Sequence, residues 1–377
     1  MKGLLLAACL LLACVPAQAQ EVTVYTVAED LPLDSWQRAV DSLAGEGRVD
    51  VRELLYRMLQ REEILSADEA LRLLLEALRQ AVLDRRGLML RLLAPALLCG
   101  LLARLREAFA ASSVAEVCHW VCYLWVATAI VRECVALATL SRQAVDGMAT
   151  GMQALFPLLL TLLAAVGGTS SAAFFQPAVV AASGTMTAIC RSVSYSLALA
   201  YTVLVVLDNI SENYSLARLA GLVKTVSNWT LGVSFTVFIG VMTVQGFGAA
   251  AYDGVTIRTA KYAIDNFVPI VGGMFADTVD TLVGCSLLVK NALGVSGMLL
   301  LVLWLAAPLL RLLATVFALR LCAAVLEPVA DGRMVRCMGD ASGALVMLAT
   351  TQLCVAAMFL LLVAQLLVVG NMTVMLR

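Results

Sequence analysis

The sequence has few of the residues from which soluble enzymes and nucleic-acid-binding proteins build their sites. It contains one histidine, His119, and charged residues make up only 14% of its 377 positions. The 26 basic and 27 acidic residues nearly cancel, so the basic excess of a nucleic-acid-binding protein is missing. No phosphate-binding loop of the GxxxxGK[ST] type is present, so ATP hydrolysis would have to come from another protein.

The eleven cysteines do not form the spacing of a zinc site or of a disulfide framework. No CxxC pair occurs, and most cysteines lie in apolar runs, where cysteine acts as a small hydrophobic residue. Cys118, His119 and Cys122 are neighbours, but on a helix His119 points about 100° away from the two cysteines. We therefore expect an interior histidine rather than a metal ligand, and we predict no cofactor.

Hydrophobic residues dominate what is present. They make up 62% of the chain, more apolar surface than one soluble core of this length can hide. We predict an all-α polytopic membrane protein with about six to eight transmembrane helices, interfacial helices and a re-entrant segment. Residues 154–207 are long enough for two or three crossings. The clearest single spans are Leu88–Ala103, Val117–Val131, Trp229–Ala250, Val295–Val325 and Leu345–Val368.

Residues 1–19 have the layout of a secretory signal. One lysine precedes a short apolar run that ends in Ala17-Gln18-Ala19, a typical cleavage site. Cleavage there would leave the mature N-terminus outside the cytoplasm. An alternative reading takes Cys14 as the lipidated cysteine of a lipoprotein. The sequence thus predicts a signal peptide (1–19), an extracytoplasmic amphipathic segment (20–87) and a polytopic membrane domain (88–377).

The segment 20–87 is charged, and its hydrophobic residues follow a helical period. Val51, Leu54, Leu55 and Met58 share one helical face, and a second such face follows in the next helix. These helices either form a small domain that packs on itself or on the membrane, or provide a docking surface for a partner.

Residues 209–228 are too polar to cross a bilayer and too apolar for a free loop. Leu216, Leu219, Val223 and Val226 lie on one helical face, which predicts a helix in the membrane interface. Two short matching segments, 154–168 and 266–273, each combine a proline with paired glycines. They raise the hypothesis of an internal repeat with broken helices around a central site.

The stretch 267–294 contains several charges in an apolar context. Pro269, Gly272 and Gly273 predict a helix break, which would suit a re-entrant element lined by protein or water. Ionisable groups at membrane depth often mark polar pathways, whereas the same groups in a hydrated loop would form a solvated face. Both readings are open for the candidate polar or pairing residues Lys261, Asp265, Asp277, Asp280 and Lys290.

Two fragments imitate motifs of intramembrane proteases, but neither completes one. Gly294 to Gly297 matches the GxSG pattern of rhomboid-type proteases, yet the histidine that should follow the serine precedes it. Asp277 lacks the GxGD context that intramembrane aspartyl proteases require. We therefore predict that the protein is not an enzyme.

The stretch FVPIVGGMFADTVDTLVGCSLLVKNALGVSG at 267–297 is the most distinctive part of the chain. Together with Phe156-Pro157, Gly167-Gly168 and the run GFGAAAYDGVTIRTAKYAIDNFVP at 246–269, it resembles the stage III sporulation protein AE family of endospore-forming bacteria. The resemblance extends over essentially the whole chain, and its N-terminal part matches in composition rather than by a distinctive motif.

The resemblance implies a permease-like membrane subunit of the channel complex that links mother cell and forespore. It implies a location in the mother-cell membrane facing the forespore, surrounded by lipid. The implied partners are other stage III sporulation proteins of the same complex, including a cytoplasmic ATPase and ring-forming intermembrane subunits, and a forespore-side channel protein. The alternative is a self-sufficient secondary transporter with its solute or ion site around Lys261, Asp265, Asp277 and Asp280.

The signal-like start gives a prediction about topology. Protease added to intact protoplasts should cut within residues 21–87, because this segment follows the cleavage site and lies before the first span. Survival of the segment, while an extracytoplasmic control protein in the same sample is digested, would show that the topology is inverted.

Overall fold

The computed structural model describes most of the chain beyond the predicted signal peptide, which lies outside the described residues. Side chains are not described for 43, 67–71, 99, 102–108, 113–116, 118–119, 178, 182, 246–267 and 272–279. The described backbone covers residues 24–29, 31–43, 50–60, 67–108, 113–209, 215–267, 272–330 and 332–375.

All regular structure in these ranges is helical. One segment of it, Cys190–Ser194, is π-helical. The α-helices are α1 (Val24–Glu29), α2 (Asp34–Leu43), α3 (Val51–Leu59), α4 (Ala67–Asp84), α5 (Arg86–Ala108), α6 (Ser113–Ala165), α7 (Thr169–Ile189), α8 (Tyr195–Asp208), α9 (Ala217–Phe267), α10 (Gly272–Leu326) and α11 (Gly332–Met375).

The amphipathic N-terminal helices pack on the long helices that follow. Asp50 caps α3 by accepting hydrogen bonds from the backbone N–H groups of Arg52 and Glu53 at 2.9 and 3.3 Å. Val51 and Leu55, on the predicted apolar face of α3, are fully buried. Helix α2 contacts α6, and α1, α3 and α4 contact α10. The segment is therefore packed against the bundle.

Five helices or helix pairs in the described residues are long and apolar enough to cross a membrane. They confirm the prediction of an all-α polytopic membrane protein, whereas the number of crossings stays a prediction. Several greatly exceed one crossing, since 46 residues of α6 correspond to about 69 Å against a hydrocarbon core of about 30 Å. The five are Trp120–Ala165, Thr169–Asp208, Ala217–Gln245, Asp280–Leu326 and Gly332–Met375.

Helices continue through positions where the sequence suggested boundaries. Helix α6 contains both the predicted span Val117–Val131 and Pro157 without interruption. The predicted interfacial segment 209–228 is not a separate helix, because α9 begins at Ala217 and runs on through the apolar part to Phe267. The physical reason is that a helix satisfies its own backbone hydrogen bonds, so a change in side-chain polarity does not end it.

The two segments of the suggested repeat have different local structures. Gly167 adopts a φ of 102° in the turn between α6 and α7, a conformation that glycine allows at low cost. Gly272 and Gly273, in contrast, are the first two residues of α10. The structure therefore does not give these paired glycines a common role. Pro269 lies outside the described residues.

Glycines let the central helices α6, α10 and α11 approach closely. The indole of Trp304 on α10 lies directly against Gly151 of α6, and Leu155 of α6 lies against Gly297 of α10. Leu367 of α11 packs on Gly294 in the same way. Small residues at contacts are typical of membrane helices, whose association depends on close van der Waals packing.

Helix α9 lies at the outside of this bundle. Ala220, Leu231 and Met242 face inward and are buried, whereas Trp229 is 70% exposed. The inward face is therefore rotated from the one predicted. Of the predicted face, Leu216 and Val223 are half-buried, and Leu219 and Val226 are exposed.

The two faces of α9 give a matched pair of substitutions. Leu231→Ala should lower the unfolding temperature in detergent clearly, because it leaves a cavity worth roughly 2–5 kcal/mol in a well-packed interior. Leu222→Ala should have little effect, since Leu222 is 58% exposed. Equal losses for the two variants would contradict the orientation of α9.

Candidate functional site

Lys290 is the most unusual charged residue of the described bundle, because its side chain is completely buried. It lies on α10, and its ammonium nitrogen Nζ donates hydrogen bonds to the carbonyl oxygens of Leu366 and Leu367, each at 3.2 Å. Both carbonyls belong to α11, nine and eight residues before its end at Met375. The lysine therefore joins α10 to α11.

Gly370 provides the space that this lysine needs. A side-chain carbon at position 370 would overlap the Lys290 ammonium group, and it would touch Leu163 of α6 at 3.3 Å. Leu163 in turn packs against Gly168, which precedes α7. The paired glycines after α6 thus lie next to the lysine, although they are about 120 residues away in the sequence.

A neighbouring pair of amides extends the polar contact between α10 and α11. Asn291 Nδ2 donates to Asn371 Oδ1 at 3.1 Å. Among the described residues, Asn291 Oδ1 and Gln365 Oε1 are buried without a hydrogen-bond partner. The interface between the two helices therefore carries an ammonium group and two asparagines.

The geometry makes Lys290 an interhelical clamp. Within the described part of the chain no carboxylate forms a salt bridge with it, and its two acceptors are neutral carbonyls. Because the side chain has no exposed surface, a solute cannot reach it without movement of α10 or α11. An unpaired buried ammonium would be very unfavourable, so both carbonyls contribute to holding this contact.

The structure does not bring the other predicted polar residues to Lys290. Asp280 lies ten residues earlier on α10, about 15 Å along the helix axis, and its side chain is exposed. Asp277 is in the first turns of α10, whereas Lys261 and Asp265 are in the last turns of α9. The side chains of these three lie outside the described residues, so their role as a polar path stays a prediction.

A second buried polar group was missed by the sequence reasoning. The Ser141 hydroxyl on α6 donates to Gln352 Oε1 on α11 at 3.4 Å and lies 3.4 Å from the Tyr195 hydroxyl on α8. Gln352 Nε2 has no partner among the described residues. The available signal was the amide of Gln352, one of two glutamines inside the apolar run Leu345–Val368, where a polar side chain needs an interior partner.

An ion pair lies close to this second group. Arg191, in the π-helical segment, donates from Nε to Asp146 Oδ1 at 2.8 Å, and its Nη2 lies 2.7 Å from Asp146 Oδ2. The two side chains remain partly exposed, at 47% and 30%. At this level of the bundle the two charged side chains are therefore in contact with a polar environment.

The described residues contain no cluster of three or more metal-ligating side chains. Ser296, part of the GxSG fragment, is buried, and its hydroxyl donates to the Leu293 carbonyl of its own helix at 2.8 Å. The local hydrogen bond thus occupies the hydroxyl in this structure.

Comparison with known proteins gives one consistent result. The model of the family described as Stage III sporulation protein AE matches residues 49–370, a region that includes both Lys290 and Gly370. The stage III sporulation protein AE of Bacillus subtilis (strain 168) is 30% identical over 360 residues, which cover 96% of this chain and 90% of that protein. No solved structure matches the chain.

The contact between Lys290 and Gly370 can be tested by a double-mutant cycle. In the native background, Gly370→Ala should destabilise the protein by roughly 1–3 kcal/mol, because the new methyl group displaces the ammonium group. In a Lys290→Ala background the same change should be neutral or should stabilise, since alanine favours a helix over glycine by up to about 1 kcal/mol. Thermal unfolding of the four proteins in one detergent measures the coupling. An equal cost in both backgrounds would contradict the contact.

Proposed function

Because the chain belongs to the stage III sporulation protein AE family, we propose that it is a permease-like membrane subunit of the channel complex that links mother cell and forespore. That it is a membrane protein with a role in sporulation follows from the family and from the apolar helices. The proposal adds a location in the mother-cell membrane facing the forespore and a function that depends on assembly with other proteins.

The family membership carries the proposal. It is supported by α9, whose apolar side chains face outward. In the span Ala217–Gln245 of α9 only 17% of the most apolar window is buried, against 39–50% for the other four spans. A helix so weakly enclosed offers a large surface to lipid or to other membrane subunits. This favours a protein that works inside an assembly.

The proposed partners follow from what the chain lacks as well as from its family. Its sequence has no phosphate-binding loop, so energy from ATP would come from a separate cytoplasmic ATPase. Ring-forming intermembrane subunits and a forespore-side channel protein would continue the path beyond this membrane. The amphipathic N-terminal segment is a candidate surface for contact on the extracytoplasmic side.

The alternative function is a secondary transporter that works alone. Such a protein would need charged groups around a reachable solute or ion site near the membrane midplane. Lys290, the charged residue at the centre of the described bundle, is sealed against backbone carbonyls and lies about 15 Å along the helix from Asp280. This arrangement favours the assembly subunit, and the experiment below separates the two.

Purification from sporulating cells should distinguish the functions. After cross-linking, the affinity-tagged full chain should recover the ATPase and the ring-forming subunits, identified by mass spectrometry. An unrelated multi-pass membrane protein with the same tag should recover neither. The purified chain alone in liposomes should show no solute or ion uptake above empty vesicles. Uptake by the chain alone, or recovery of no partner beyond those of the control, would contradict the proposal.

A further inference from the structure

The long helices raise the question of which part of the bundle the bilayer covers. Charged side chains that are exposed or partly exposed divide the bundle along its length, because Arg142 and Asp146 interrupt α6 and Arg311 interrupts α10. A bilayer that enclosed these exposed charges would pay several kcal/mol for each one. The hydrocarbon core therefore has to lie on one side of them.

Contacts between helices show which residues of different helices lie at the same level, so that the positions of the charges can be compared. Lys290 on α10 lies beside Gly370 on α11, and Gly370 lies beside Leu163 near the end of α6. Further along, Gly297 of α10 meets Leu155 of α6, so these two helices are antiparallel. One level of the bundle thus contains Lys290, the end of α6 and the Gly167 turn.

On three paths through the bundle, the distance from this level to the next charged residue is nearly the same. Along α10, Lys290 and Arg311 are 21 residues apart, which is about 31 Å. Thr169 at the start of α7 and Arg191 in the following π-helical segment are 22 residues apart, or about 33 Å. Along α6, Asp146 and Ala165 are 19 residues apart, or about 28 Å. Each distance matches the thickness of the hydrocarbon core, about 30 Å.

The remaining long helices fit the same layer. Helix α11 has no charged residue between Asp340 and its end at Met375, and α9 has none between Lys224 and Asp253. Leu231 and Phe235 of α9 line one groove together with Thr350 and Cys354 of α11, which places the two helices side by side at this level. A layer free of charge thus runs through five helices.

We propose that the bilayer covers this layer, which we define as residues 147–165, 169–190, 231–252, 291–310 and 350–371. One surface of the bilayer then lies at the Asp146–Arg191 ion pair and Arg311. The other lies at the Gly167 turn and the Asn291–Asn371 pair. The side chains that face the lipid include Phe174, Val180, Val237 and Val244, which are 55–76% exposed.

The opposite end of the bundle is also apolar on its surface, but it is too short to span. Its longest charge-free stretch on α6, residues 117–131, has 15 residues, or about 22 Å. A crossing needs about 20 residues, with a lower limit of about 17. Val121 and Trp125, which are 60% and 64% exposed there, thus lie outside the hydrocarbon core.

The placement also determines whether the charged residues near the α9–α10 connection lie in the bilayer or in water. Asp280 lies about 15 Å beyond the Lys290 level along α10, and Asp277 lies further still. Lys261 and Asp265 follow the end of the layer on α9 by nine or more residues. All four lie on the aqueous side in this placement, which favours the hydrated loop over a polar path through the bilayer.

Photolabelling from within the bilayer tests this placement on the full native chain. The protein is reconstituted in vesicles of phosphatidylethanolamine and phosphatidylglycerol that contain a phospholipid with a diazirine in the middle of its acyl chain. After illumination, labelled peptides are quantified by mass spectrometry. Peptides containing Val180 and Val244 should be labelled at least fivefold more than the peptide containing Val121 and Trp125, although all four side chains are at least 60% exposed.

The comparison is controlled inside the chain, because it uses side chains of similar exposure and needs no variant. Equal labelling of the two groups, or stronger labelling at Val121 and Trp125, would overturn the placement. Strong labelling near Asp280 would overturn it as well, since that residue should be about 15 Å outside the hydrocarbon core. Labelling confined to the defined layer supports it.

Discussion

The close contact between α10 and α11 determines the arrangement of the other helices. An ammonium group buried in an apolar bundle must find acceptors, and here they are the carbonyls of Leu366 and Leu367. The contact requires a residue without a side chain at position 370, and it brings Leu163 of α6 to the same place. The turn at Gly167 and the Asn291–Asn371 pair lie around it. One charged side chain thus fixes the register of three helices.

In this arrangement the interior of the bundle contains hydrogen-bonded polar groups, and its exterior carries exposed apolar side chains. The interior polar groups of the described bundle, such as Lys290 and Gln352, are directed at carbonyls and neighbouring side chains. The exterior carries large apolar residues on α9 and on the first half of α6. If the bilayer covers only part of this surface, the remainder is suited to contact with other proteins, which agrees with a subunit that works in an assembly.

Composition was sufficient to predict the class of the protein, because an apolar content of 62% fits only a membrane environment. The helix ends were harder to predict. Pro157, Pro177 and Pro308 all lie inside helices, since neighbouring helices can compensate for a lost backbone hydrogen bond. Lys290 stood out in the sequence as a charge in an apolar stretch, but its acceptors are backbone atoms 76 and 77 residues away, which no local pattern encodes. Gln352 was missed because its partner, Ser141, lies 211 residues away on another helix.

Because several helices are longer than the bilayer is thick, hydropathy alone does not determine which part of each helix lies in the bilayer. Hydropathy reports where side chains are apolar, and in this bundle they are apolar both in the lipid and at the protein surface beyond it. Charged side chains carry more information, because an exposed charge excludes hydrocarbon at its own level. Their positions become informative only when the helices are aligned, as the contacts of Lys290 with Gly370 and of Leu155 with Gly297 align them. The membrane boundary can therefore be located from the packed bundle but not from the sequence of any single helix.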